Sequence, residues 1–382
     1  MLDKAVKTVL LGLVCGLCAP ALANTTTNAA AASDDGAAAP ARTRIAIVLP
    51  TLSDTFSTAA QALRAGFMAA HEREPDGIEV TLVESADGAQ NALSAYESAL
   101  AQNDIVVGPL ARADVAAIAR SGKVAKPTLT LAPADADIAL PAQALAIGLS
   151  IEDEARQLAT WAGAGRKQAK AVVIAGGVAW QRRAARAFAA QWQELGLEAL
   201  PVEIASSSGY LSAAGLEQVR KRLMEEKPAV VFFGLDAFQA QQMQLALPKG
   251  LAPAPHTYGT SQLNPWNAAD WRSAEKRIEM NGVRLLDLPW LLQPDHPAVM
   301  VYPRPVMEAD RRANPDLDRL YALGIDAYRV AREIAAHRTA FELDGVTGRL
   351  SVNFAAGNYR LRRAAQPAAY QDGMVAPLPR MP

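Results

Sequence analysis

The chain has 382 residues, 51% of them hydrophobic and 20% charged, with a formal net charge of -1. That length allows two domains or one large two-lobed body. The near-zero charge, without any Lys/Arg block, excludes a nucleic-acid-binding footprint.

The first residues read as an export signal. Lys4 and Lys7 precede an apolar stretch from Val9 to Leu17, and Ala21-Leu22-Ala23 offers small residues for signal peptidase. The apolar run is too short for a membrane span. Both cysteines, Cys15 and Cys18, fall inside this 1–23 segment, so cleavage leaves a chain without disulfides or thiolate metal sites. Cleavage just before a cysteine would instead give an outer-membrane lipoprotein, but Leu13-Val14 and Gly16-Leu17 are poor contexts for it. The expected location is the periplasm. Residues 24–42, rich in Ala, Thr and Asn, carry almost no bulky apolar side chain and are expected to be a disordered linker.

From Thr43 onward strands and helices alternate. Arg44 to Pro50, "RIAIVLP", is a continuous β-branched run that predicts a strand buried on both faces. Phe56, Ala60, Leu63, Phe67 and Ala70 follow at helical spacing. Strands are then predicted over Ile78 to Glu84, Asp104 to Leu110 and Pro127 to Pro133, with helices between them. A second series starts at Ser150, placed as a helix N-cap with Asp153 three residues on. It runs through strands at Lys170 to Gly177, Pro228 to Leu235 and His256 to Leu263. Such alternation predicts an α/β protein with two doubly wound Rossmann-like lobes of parallel strands. Ligands of such sheets lie at the carboxyl ends of the strands, which makes Thr51, Ser53, Leu110, Arg112, Asp135, Asp236, Ser261 and Asp287 the candidate cleft residues.

Signals for chemistry are sparse. His71, His256, His296 and His337 show no metal-ligand spacing, and no HExxH or GxSxG motif occurs. Neither a metal nor a cofactor is expected, and the reading is non-enzymatic. "GVRLLDLPWLL", Gly282 to Leu292, starts as a buried strand and ends on an acid and an indole. Trp266, Trp271 and Tyr302, in Pro/Asn-rich loops, are candidate interface aromatics.

Five ordered stretches resemble the LppC/LpoA family of penicillin-binding protein activators. They are "IGLSIEDEARQLA" (Ile147 to Ala159), "RRAARAFAAQWQELG" (Arg182 to Gly196), "GVRLLDLPWLL", "RLYALGIDAYRVA" (Arg319 to Ala331) and "LDGVTGRLSV" (Leu343 to Val352). The resemblance implies a fold like the type I periplasmic binding proteins, with three crossings between lobes. The first lobe would take residues 43–147 and 285–340, and the second 148–284 and 341–376. "GVRLLDLPWLL" would be the strand crossing back into the first lobe, with Pro289 and Trp290 at the hinge. The implied function is regulation of peptidoglycan synthesis by binding and activating a class A penicillin-binding protein. Longer members carry a helical-repeat domain ahead of this one; the expected signal and linker of residues 1–42 hold no such repeat. The rival reading is a periplasmic small-molecule receptor of an ABC-type uptake system, with a small ligand in the cleft. An α-amino-acid site of this fold would need hydroxyl donors where "GPLARAD" (Gly108 to Asp114) and "LAPADAD" (Leu131 to Asp137) offer none.

Overall fold

The computed structural model describes residues 42–134, 138–248, 250, 252–266, 276–305, 314–353 and 360–379. The expected export signal, and the linker up to residue 41, lie outside the described residues.

Strand β1 (Thr43–Leu49) buries every side chain from Ile45 to Leu49, as a continuous β-branched run at the centre of a parallel sheet should. It is flanked by β2 (Ile78–Glu84) and β3 (Ile105–Val107), and the sheet continues through β4 (Thr128–Thr130) and β5 (Ala144–Ala146). All pairs are parallel, in the order β2-β1-β3-β4-β5. Helices α1 (Ser57–Arg73), α2 (Ala89–Gln102) and α3 (Arg112–Arg120) make the connections.

The second lobe opens with α4 (Ile151–Gly163), where Ser150 Oγ accepts the Asp153 amide at 3.1 Å, the expected N-cap. Then come β6 (Lys170–Ala175), α5 (Ala179–Glu194), β7 (Glu198–Glu203), a small hairpin of β8 (Ser206–Ser207) and β9 (Tyr210–Leu211), and α6 (Ala213–Glu226). β10 (Val230–Gly234), α7 (Ala237–Ala246), β11 (His256–Gly259) and β12 (Arg284–Asp287) complete it. The chain returns to the first lobe through α8 (Pro289–Leu292), α9 (Pro297–Met300), α10 (Pro315–Ala335) and an antiparallel sheet of β13 (Ala340–Gly345), β14 (Gly348–Asn353) and β15 (Arg360–Ala364). Finally β16 (Gln366–Gln371) and β17 (Met374–Pro377) extend the second sheet antiparallel, giving β17-β16-β12-β11-β10-β6-β7.

The two-lobed α/β architecture expected from the sequence is present, with corrected boundaries. The chain crosses at residues 147–150, 287–288 and 364–366. Residues 285–287 belong to the second sheet, not the first lobe, because β12 pairs with β11 and β16. Leu285 and Leu286 point to opposite faces of that sheet and enter two different cores. Leu288 and Trp290 lie in the first-lobe core. The β13–β15 sheet, expected in the second lobe, packs on the first through Val346, Leu350 and Val352. "PWLL" is a helical turn rather than strand, with Pro289 at its first position, where its missing N–H is not needed.

The first lobe is held by α1 against α10. A Cβ on Gly66 would stand 1.9 Å from the Tyr321 carbonyl oxygen, and one on Gly324 would stand 2.1 Å from that of Leu63. The two backbones touch, so only glycine fits at both crossing points.

Candidate functional site

The carboxyl ends of the first sheet open on a cleft of about 620 Å³. Its apolar wall comes from Phe56, Leu110, Leu131, Leu149, Leu320 and Leu323. Its polar lining is Asp87, Arg112 and Asp114. Ser53 Oγ donates to Asp87 Oδ1 at 2.5 Å and accepts the amides of Thr55 (3.1 Å) and Phe56 (2.8 Å). It thus ties the turn into α1 to the far rim. Thr51 Oγ1 donates to Glu84 at 2.7 Å. Asp114 is 8% exposed. Burial, reinforced by the nearby Asp87 charge, raises the pKa of its carboxyl.

Arg112 turns from the cleft toward the second lobe. Its Nη2 donates to both oxygens of Glu152 on α4, at 3.0 and 2.9 Å, and Arg183 Nε on α5 reaches Glu152 Oε1 at 2.8 Å. Burial alone would push the Glu152 carboxyl up. Its backbone hydrogen bond and the two guanidiniums outweigh that and hold it below the usual value. The pair is a direct tie between the lobes.

A second polar centre is buried where the lobes meet. Asp287, at the end of β12, has no exposed surface. Arg319 Nε and Nη2 on α10 donate to its two oxygens at 3.1 and 2.8 Å. Asn264 Nδ2 and the Leu288 amide, each at 2.8 Å, complete the set. Arg319 Nη2 also reaches the carbonyls of Ser261 (2.9 Å) and Asn264 (3.2 Å). The first-lobe helix therefore places its arginine at the carboxyl ends of β11 and β12. Burial disfavours the Arg319 cation, but Asp287, Asp316 and Glu154 together keep it more basic than usual. Glu154 Oε2 accepts the Ser261 amide at 2.9 Å, and burial, which the Asp287 charge supports, pushes its carboxyl up to about 7.

Arg363 on β15 stitches the remaining crossings. Its Nη1 and Nη2 donate to the carbonyls of Gly148 (3.0 Å) and Ile147 (2.6 Å), and its Nε to Thr347 Oγ1 (3.0 Å). Buried Asp326 of α10 accepts the amides of Val346 and Thr347 and the Thr347 hydroxyl, at 3.1, 2.8 and 2.6 Å. The "LGIDAY" and "LDGVTGRL" stretches therefore meet as a helix carboxylate capping a hairpin turn.

Of the expected cleft residues, Leu110 and Arg112 line the cleft, Ser53 bonds its lining acid Asp87, and Thr51 bonds Glu84, outside the lining. Ser261 and Asp287 belong to the buried junction instead. Asp236 is the N-cap of α7, accepting the Gln239 amide at 2.8 Å. Asp135 lies outside the described residues. The hinge residue Trp290 is fully buried, with the Arg304 guanidinium 3.9 Å above its ring. Tyr302, expected at an interface, is only 7% exposed because the first-lobe core takes its ring. Trp266 packs against Tyr370 at 5.6 Å, and Trp271 lies outside the described residues. Asp87, Asp114, Glu152, Glu154 and Arg319 were not singled out from the sequence. The acids of "SIEDEA" and the arginine opening "RLYALG" stand in the quoted motifs, but nothing local marks their partners.

The sequence model of the family described as "LppC putative lipoprotein" matches residues 38–373. A curated relative named penicillin-binding protein activator LpoA, from Edwardsiella piscicida, is 36% identical over 104 residues, which is 27% of this chain and 14% of that one. The LpoA of Yersinia pseudotuberculosis serotype O:1b is 34% identical over 106 residues, 27% of this chain and 15% of its own length. The match thus spans a minor part of these relatives. Among solved structures, one described as a "putative branched-chain amino acid ABC transporter" from Chromobacterium violaceum is 31% identical, covering 86% of this chain and 100% of that one at a TM-score of 0.66. The LpoA (YraM) C-domain from Haemophilus influenzae, described as a regulator of PBP1A, is 22% identical, with coverage of 88% and 100% and a TM-score of 0.68.

Proposed function

Because the chain belongs to the LppC family, we propose that it is a non-enzymatic cell-envelope regulator that binds a class A penicillin-binding protein and activates peptidoglycan synthesis. The observation that carries this reading is the family match across residues 38–373, which takes in both lobes and all three crossings. The relatives named penicillin-binding protein activators point the same way. The protein would act by docking on the synthase conformer that is competent for crosslinking, shifting its population through differential affinity. The charged N-terminus with its apolar stretch fits export to the periplasm. Among the described residues, no helix is long and apolar enough to cross a membrane.

The test is reconstitution. The full chain is combined with a purified class A synthase and lipid-linked precursor, and crosslinked muropeptides are counted. Higher crosslinking together with co-purification supports the reading; no complex and no change refutes it.

The similarity to the Chromobacterium violaceum structure supports a second reading, a receptor for an uptake system. It requires delivery of a bound solute to a permease, measured as transport dependent on this protein in reconstituted vesicles.

A further inference from the structure

Among the described residues, two acids in the cleft of the first lobe, Asp114 and Asp87, have no cation paired with them. Asp114, in the first turn of α3, is 8% exposed, yet it makes no hydrogen bond or ion pair among the described residues. Its carboxylate lines the cleft, where a ligand can reach it. The donors to its neighbour Asp87 are the Ser53 hydroxyl and, at 3.3 Å, the Asp54 amide. Among the described residues the cation that lines the cleft is Arg112, which pairs with Glu152 across the lobes. All other lining side chains are apolar or absent, with leucines at Leu110, Leu131, Leu149, Leu320 and Leu323. The volume of about 620 Å³ is that of a small-ligand site.

We propose that this cleft binds a small organic ammonium with an aliphatic body, its –NH₃⁺ held by Asp114 and Asp87 and its body against the leucine wall. An ammonium offers three donors and no acceptor, which suits two carboxylates with spare lone pairs. A carboxylate ligand would meet two like-charged side chains in the same cleft and be repelled by both. An uncharged alcohol would satisfy one acid and leave the pair's charge unbalanced. Burial, and after it the Asp87 charge, raises the pKa of Asp114, and a cation held between the two acids would favour their charged forms. The inference is independent of the synthase reading, since that reading rests on the family match and is tested by crosslinking.

Isothermal titration of the full chain with isopentylamine, isopentanol and isovalerate decides it. The amine is expected to bind at least about tenfold more tightly than either isostere. Asp114→Asn is expected to weaken the amine by about tenfold or more, with an unchanged unfolding curve showing that the fold is intact. Asp87→Asn provides a second variant should Asp114→Asn fail to fold. Equal binding of isovalerate or isopentanol, or no heat from the amine at about 10 mM, overturns the proposal. So does amine binding that survives both folded variants.

Discussion

Arg319 and Asp287 form a doubly hydrogen-bonded ion pair at 2.8 and 3.1 Å, with side chains 6% and 0% exposed, between a first-lobe helix and the last parallel strand of the second sheet. A pair this buried is worth little compared with an apolar replacement, but removing one partner strands a charge in the interior.

Arg319→Ala is therefore expected to destabilise the protein by about 3–5 kcal/mol, read from the urea midpoint. The double replacement Arg319→Met with Asp287→Leu should lose much less than the two single changes added together, because neither charge is then left alone. Additive losses would show that the pair does not act as a unit.

The pH profile should report Glu154. Its carboxyl rises from an ordinary 4.5 to about 7 in the folded state, so between those values the folded chain binds more protons than the unfolded one. Stability from this group is complete below about 4.5 and is lost as pH rises through about 7. The full span is roughly 3 kcal/mol. In Glu154→Gln the position stays neutral, and the wild-type minus variant difference should fall across that window. A flat difference would place Glu154 in an ordinary solvated setting.

Packing of α1 on α10 predicts a steric result. Gly324→Ala would put a methyl group 2.1 Å from the Leu63 carbonyl oxygen, so the helices must separate. The expected cost is about 1–3 kcal/mol, although alanine is otherwise the better helix former. Thermal melting checks it, with a rise in midpoint as the contrary outcome.

The Arg112–Glu152 tie predicts a conformational result rather than a large stability change. Its side chains are 27% and 16% exposed, so Glu152→Ala should cost on the order of 1 kcal/mol. It should also broaden the distance distribution between spin labels at Ala125 and Glu194, one exposed position on each lobe. An unchanged distribution would mean that Arg319 and Arg363 alone set the lobe angle.

Local rules read the elements well. The β1 run of Ile45 to Leu49 identifies a central parallel strand because both faces of such a strand are apolar. Ser150 is legible as an N-cap because donor and acceptor lie three residues apart. The crossing after β12 was misplaced for an equally physical reason. Leu285, Leu286 and Leu288 look alike in sequence, yet they enter three different cores, and hydrophobicity carries no address.

By itself the sequence determined which segments become strand or helix, since periodicity and caps act over a few residues. It also determined that two parallel sheets alternate with their helices. Tertiary structure alone decided which charges meet. Arg319 finds Asp287 across 32 residues and Arg363 finds Ile147 across 216, while Asp114, only 8% exposed, has no partner among the described residues. Those outcomes depend on the low-dielectric space enclosed between packed elements, where one missing donor outweighs any local preference.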